Sequence, residues 1–163
     1  FERHHEAILE PDSKILPHAI ATVVRRKVDV VLKDERESSG LRQILNLGHT
    51  IGHAIESIAG YGRFRHGETV LWGMRIELGL SVVRGHLTRD AFYQVDSFLG
   101  RLCVPRLPKN LSAEKIFVNT RMDKKRNVAE VHFVLLKRIG KTIVDRGITK
   151  GDIAQALKLV SVG

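Results

Sequence analysis

Five polar side chains, Arg42, Asn46, His49, His53 and Glu56, recur in the sequence at spacings of 4, 3, 4 and 3. At roughly 100° per residue they fall within a fan of about 80° on a helix, so they form one stripe. Around them stand Leu41, Ile44, Leu45, Leu47, Ile51, Ala54, Ile55 and Ile58. This pattern predicts a largely buried helix from Leu41 to Ala59 whose stripe faces a cleft, a metal or a ligand. A solvated helix would instead carry Glu/Lys pairs four residues apart. Gly48 and Gly52 each cost a helix about 1 kcal/mol relative to alanine. That cost is tolerated where another backbone or a ligand must come close.

One histidine on an apolar helix is ordinarily a satisfied core residue. Two at i,i+4, followed by His66-Gly67-Glu68, point to a metal or anion site, because imidazole is the commonest metal ligand and such side chains share a face. Spacing favours His49 and His53 as the pair and leaves open which two of the three histidines bind metal. The same rings, with an ordinary pKa near 6.5, can move protons at neutral pH.

Several elements must position these groups. Residues 1 to 9 read as a short helix ended by Pro11, with His4 and His5 at the surface. Ser13 or Leu16-Pro17 opens an amphipathic helix carrying Ile20, Val23, Val24, Val28 and Val31, which runs to about Asp34. A charged turn, 34–40, leads into the central helix. The glycines of 60–67 predict a loop, from which His66 can point back at that helix. Glu68 to about Arg84 is apolar nearly all round, so a buried helix is expected, with Trp72 and Met74 in the core. Thr88 caps a helix to about Leu102, and Ser112 opens a short one to about Met122. Val131 to Ile139 and Thr142 to Arg146 flank Gly140-Lys141 and predict a β-hairpin. Thr149 with Asp152 resembles a capping box and starts a last helix to about Val160. The fold class is therefore mainly α, a helical bundle with one β-hairpin, in a single domain spanning 1–163.

The 163 residues, 43% hydrophobic and 28% charged, fit a globular domain with a real core. The lone Cys103 cannot form an internal disulfide, which fits a reducing, cytoplasmic setting. A net charge of +9 raises the question of nucleic acid. However, Arg25, Arg26, Lys27 and Lys33 are followed at once by Asp34, Glu35 and Glu37, and no nucleic-acid motif is visible. Small anionic substrates make better use of the charge. No apolar run reaches the roughly 18 residues of a membrane span.

At this point a resemblance carries the reading further. The run from Lys27 to Glu37, Gly40-Leu-Arg42, Leu45-Asn46-Leu-Gly-His49-Thr-Ile-Gly-His53-Ala-Ile-Glu56, His66-Gly67-Glu68 and Gly73-Met74 resembles the C-terminal half of 3-dehydroquinate synthase. Met122-Asp-Lys124-Lys125 and Phe133 to Gly140 continue the match in order. The sequence departs from the family in having one residue more before Gly40 and larger residues near Leu71 and Trp72. The resemblance implies the C-terminal domain of a dehydroquinate synthase-like fold. It also implies conversion of 3-deoxy-D-arabino-heptulosonate 7-phosphate to 3-dehydroquinate and phosphate, with zinc (or cobalt) and NAD as cofactors.

Residue by residue, it implies His49 and His66 as metal ligands, displacing the His49/His53 pair, with the third ligand a glutamate upstream of residue 1. His53 matches a histidine near the phosphate and the proton-transfer step. Lys27 matches an active-site lysine, Arg42 and Asn46 match substrate contacts, and either Lys124 or Lys125 matches a phosphate-binding lysine. Phe1 opens the chain without a methionine and already reads as helix, so a piece of a longer protein is expected. Its N-terminal NAD-binding α/β domain would be absent here, where nothing resembles a glycine-rich dinucleotide loop. The 163 residues alone are expected to be inactive, and the full-length protein to be a homodimer. Two other readings stand beside this one: a sister sugar-phosphate cyclase (2-deoxy-scyllo-inosose or valiolone-type synthase), and a non-catalytic helical domain.

Overall fold

The computed structural model describes residues 2–10, 12–36, 38–60, 62–102, 105–122 and 131–160. The chain divides into two compact units, Phe1–Leu45 and Asn46–Gly163. The first unit begins with a 3-10 turn, Glu2–His4, followed by helices α1 (His5–Leu9) and α2 (Leu16–Lys33). Pro17 sits in the first turn of α2, where its missing N–H costs nothing. Ser13 accepts the Leu16 N–H at 3.2 Å. Beyond α2 the Asp34 carboxylate closes the charged turn, accepting the N–H of Ser39 and of Arg42, each at 3.0 Å. The bonds from Arg42 and Ser39 hold this carboxyl below its ordinary range.

The second unit contains α3 (His49–Ala59), α4 (His66–Val83), α5 (Arg89–Gly100) and α6 (Ala113–Met122), then strands β1 (Phe133–Arg138) and β2 (Lys141–Asp145), and finally α7 (Lys150–Leu159). Helix α4 is its spine. It packs against α3, α5, α7 and β1, and this explains why its sequence is apolar nearly all round. Thr88 and Ser112 accept the N–H of Ala91 and Lys115, and Thr149 and Asp152 form the capping box at the start of α7. The hairpin is antiparallel, pairing Phe133 with Asp145 and Leu135 with Ile143. It is tied to the spine by Leu136 N–H, which donates to Ser81 Oγ at 3.0 Å. At the outer end Arg84 bonds Asp145 at 2.9 Å, linking spine and hairpin. Among the described residues no helix is long and apolar enough to cross a membrane.

The structure differs from the sequence reading at the central helix. Leu41–Asn46 is a 3-10 turn, Leu47-Gly48 is a further turn, and the α-helix begins only at His49. Gly48 causes the break. Its φ of 84° lies in the left-handed region, which glycine enters without steric penalty. The helical stripe therefore holds for His49, His53 and Glu56, and does not extend to Arg42 and Asn46.

Two interactions fix that break. The first is a backbone crossing: a Cβ placed on Gly73 of α4 would lie 1.9 Å from Gly48 O and 2.8 Å from Gly52 N. Alanine at 73 must therefore push α3 away from α4. The second is Glu77, fully buried on α4, whose carboxylate accepts the N–H of Gly48 and, at 3.5 Å, that of Ile51. A carboxyl here caps the first turn of α3, where helix N–H groups lack internal partners. Burial pushes the Glu77 carboxyl up to about 8, against the pull of the Gly48 and Ile51 amides.

Gly73→Ala is expected to cost about 3 kcal/mol in chemical denaturation. Gly67→Ala, where a Cβ meets nothing within 4 Å, should cost nothing measurable. Equal midpoints for the two variants would contradict the crossing. Glu77 gives a pH signature. Its carboxyl binds a proton more tightly folded than unfolded, so folding stability falls as pH rises from the ordinary value of 4.5 to about 8, and levels off beyond. Glu77→Gln, with no proton to titrate, should flatten this slope in thermal melts across that range. It should also lower the midpoint, because one buried N–H loses its acceptor at a cost of about 1–3 kcal/mol.

Candidate metal centre

Three imidazoles converge on one side of the second unit. His49 and His53 lie one turn apart on α3, and His66 is the first residue of α4. The ring centres of His49 and His66 are 5.4 Å apart, those of His53 and His66 5.6 Å, and those of His49 and His53 5.8 Å. Gly48 and Gly52 seat α3 against Gly73 and Thr69 of α4, and Glu56 lies beside His66 and Thr69, so the first turn of α4 comes alongside the middle of α3 and the rings meet.

In two of the rings Nδ1 has a hydrogen-bond partner. His66 Nδ1 lies 3.0 Å from Glu56 Oε1, and the same oxygen lies 3.1 Å from the Thr69 hydroxyl. His49 Nδ1 lies 3.4 Å from the Leu47 carbonyl. Arg65 N–H donates to Glu68 Oε2 at 2.8 Å, capping the turn that begins with His66. His53 and His66 are exposed, and His49 is half-buried.

This donor set suits a zinc-like ion. Two imidazoles bound to one tetrahedral ion at Zn–N of about 2.1 Å have ring centres about 5 Å apart, close to the three separations found. Donor atoms of His53, Glu56 and His66 all lie within 4.8 Å of one another. That trio adds Glu56 to the set named from sequence, while His49 shares the cluster through its ring contacts.

The remaining residues singled out from sequence sit as follows. Lys27 is on α2 and exposed. Arg42, half-buried in the 3-10 turn, directs its guanidinium to the Glu35 carbonyl at 3.4 Å. Lys27 and Arg42 both belong to the first unit. Asn46 ends the turn and is exposed. Lys124 and Lys125, with Cys103, lie outside the described residues. Sequence reasoning noted Glu56 in the stripe without giving it a task, and it missed Glu77. The signal for Glu77 was there: a lone carboxylate in the apolar run of α4.

Comparison with known proteins places this chain in a family. Residues 1–126 match the family described as 3-dehydroquinate synthase C-terminal. The chain is 37% identical over 153 residues to the 3-dehydroquinate synthase of Dichelobacter nodosus, covering 93% of this chain and 41% of that protein. It is 40% identical over 146 residues to that of Bordetella pertussis, covering 87% and 40%. The chain thus spans about two fifths of the length of these curated relatives. Among solved structures, it is similar to a 2-epi-5-epi-valiolone synthase from Streptomyces hygroscopicus with NAD+ and Zn2+ bound. The TM-score is 0.78 at 22% identity, covering 98% of this chain and 44% of the other. It is also similar to a 2-deoxy-scyllo-inosose synthase complexed with carbaglucose-6-phosphate, NAD+ and Co2+, with a TM-score of 0.72 at 24% identity, covering 90% and 41%. Those two likenesses establish the fold, a helical bundle with one hairpin shared with these two synthases. The sequence match goes further, and the chain belongs to the 3-dehydroquinate synthase C-terminal family.

Proposed function

We propose that this chain is the metal- and substrate-binding part of a 3-dehydroquinate synthase. In that role it converts 3-deoxy-D-arabino-heptulosonate 7-phosphate to 3-dehydroquinate and phosphate, together with an N-terminal NAD-binding α/β domain. The observation that carries the reading is the convergence of His49, His53 and His66 at ring separations of 5.4–5.8 Å. The names of the relatives at 37% and 40% identity favour this reaction over those of the sister cyclases. The reading extends to a homodimeric, cytoplasmic enzyme of aromatic biosynthesis.

His49 and His66 would hold zinc or cobalt, with a third ligand from upstream of residue 1. Zinc, when bound, would hold the hydroxyl being oxidised and lower its pKa, while NAD accepts and returns the hydride. The rest falls to side chains of this chain. His53, one turn from His49, moves a proton at the step that releases phosphate. Lys27 and Arg42 bind the carboxylate and phosphate of the substrate, the ligands that ammonium and guanidinium groups suit. Asn46 binds a substrate hydroxyl. Lys124 or Lys125 completes the phosphate contact.

The test is phosphate release from 3-deoxy-D-arabino-heptulosonate 7-phosphate by the full-length protein with NAD and zinc. Turnover is expected, and no phosphate release from this substrate together with release from a carboxylate-free hexose or heptulose phosphate would overturn the assignment. His66→Ala and His49→Ala should each lower bound metal and reduce turnover by at least about 100-fold. Arg42→Ala should act mainly on KM, raising it about 10- to 100-fold for the loss of a charged hydrogen bond. Unchanged KM in that variant would remove Arg42 from the substrate contacts.

A further inference from the structure

We infer that Glu56 is a positioning residue for His66: its carboxylate fixes the imidazole tautomer and aims Nε2 into the cluster. The inference rests on the proposed metal site, and goes beyond it by assigning a residue that the resemblance leaves without a role. His66 opens α4 with a side chain 55% exposed, whereas Glu56 is anchored on α3 with a side chain 20% exposed. Packing alone leaves such a ring free to turn about two bonds, so a directional partner is needed to hold it.

The geometry supplies that partner. Glu56 Oε1 lies 3.0 Å from His66 Nδ1. A carboxylate only accepts, so Nδ1 carries the hydrogen and Nε2 keeps its lone pair. The carboxylate is itself steadied by Thr69, a fully buried residue whose hydroxyl lies 3.1 Å from the same oxygen and 2.8 Å from the His66 carbonyl. Glu56 could instead be a metal ligand, since its donor atom lies within 4.8 Å of those of His53 and His66. The hydrogen bonds argue otherwise. Two donors on one tetrahedral zinc stand about 3.3 Å apart, wider than the 3.0 Å contact, and Oε1 already accepts from the ring N–H, with the single Thr69 hydroxyl hydrogen shared between it and the His66 carbonyl. A charged acceptor on Nδ1–H also raises the basicity of the ring, strengthening Nε2 as a ligand.

The experiment compares Glu56→Ala, Glu56→Gln and His66→Ala in the full-length protein, by chelator competition for Zn2+ and by the visible absorption of the Co2+-loaded form. Glu56→Ala is expected to weaken zinc binding about 10- to 100-fold and to shift the Co2+ bands. Glu56→Gln keeps a carbonyl that can accept from Nδ1–H, so it should retain most of the affinity and a near-native spectrum. His66→Ala should lose more affinity than either. A Glu56→Gln variant as weak as Glu56→Ala would make Glu56 a ligand and overturn the positioning role. Native affinity and spectrum in Glu56→Ala would overturn it as well, while leaving the metal site intact. Native metal binding in His66→Ala would bring down the metal site and this inference together.

Discussion

The second unit depends on the place where the backbones of α3 and α4 come together, at Gly48, Gly52 and Gly73. Gly48 and Gly73 let the two backbones approach more closely than any other residue pair would permit, and Glu77 satisfies the amides that the break before α3 exposes. Each half needs the other. The turn at Gly48 ends one run of helical hydrogen bonds and opens another, and free N–H groups there would be orphaned in the interior without a buried acceptor. The acceptor is a carboxyl, whose burial is itself unfavourable and is only partly offset by those two bonds. The structure accepts that cost at the position from which its histidines are presented.

The arrangement of the imidazoles follows. Starting α3 at His49 places His49 and His53 one turn apart on a helix whose opposite side, including Ile51, Ala54 and Ile55, is buried. Starting α4 at His66 brings a third ring alongside, and Glu56 restrains it. Rigidity comes from the packed spine, and the candidate site lies beside its first turn. A site built on regular elements holds its groups more accurately than one built on loops.

Much of this could be read from the sequence where the determinants are local. The ends of α5, α6 and α7 were announced by Thr88, Ser112 and Thr149, each of which bonds an amide three residues on. The hairpin was announced by β-branched residues flanking Gly140. The burial of α4 was plain from its composition, and type and spacing selected the three histidines. The break at Gly48 was not legible, because periodicity extends a helix until something distant interrupts it, and here that something is Gly73, far along the chain. Glu77 stood out only as a carboxylate in an apolar run, and its task was not legible because its partners are distant main-chain amides. Glu56 had the right spacing, but its task depends on a ring delivered by another helix.

Because backbone meets backbone where Gly73 faces Gly48 and Gly52, the approach of α3 to α4 there is limited by main-chain atoms, which side-chain resizing cannot shorten. The ring separation of 5.4 Å is accordingly close to an all-or-none property of the fold. Substitutions in this chain that alter chemistry would then act through the groups around the rim, leaving the spacing of the imidazoles in place.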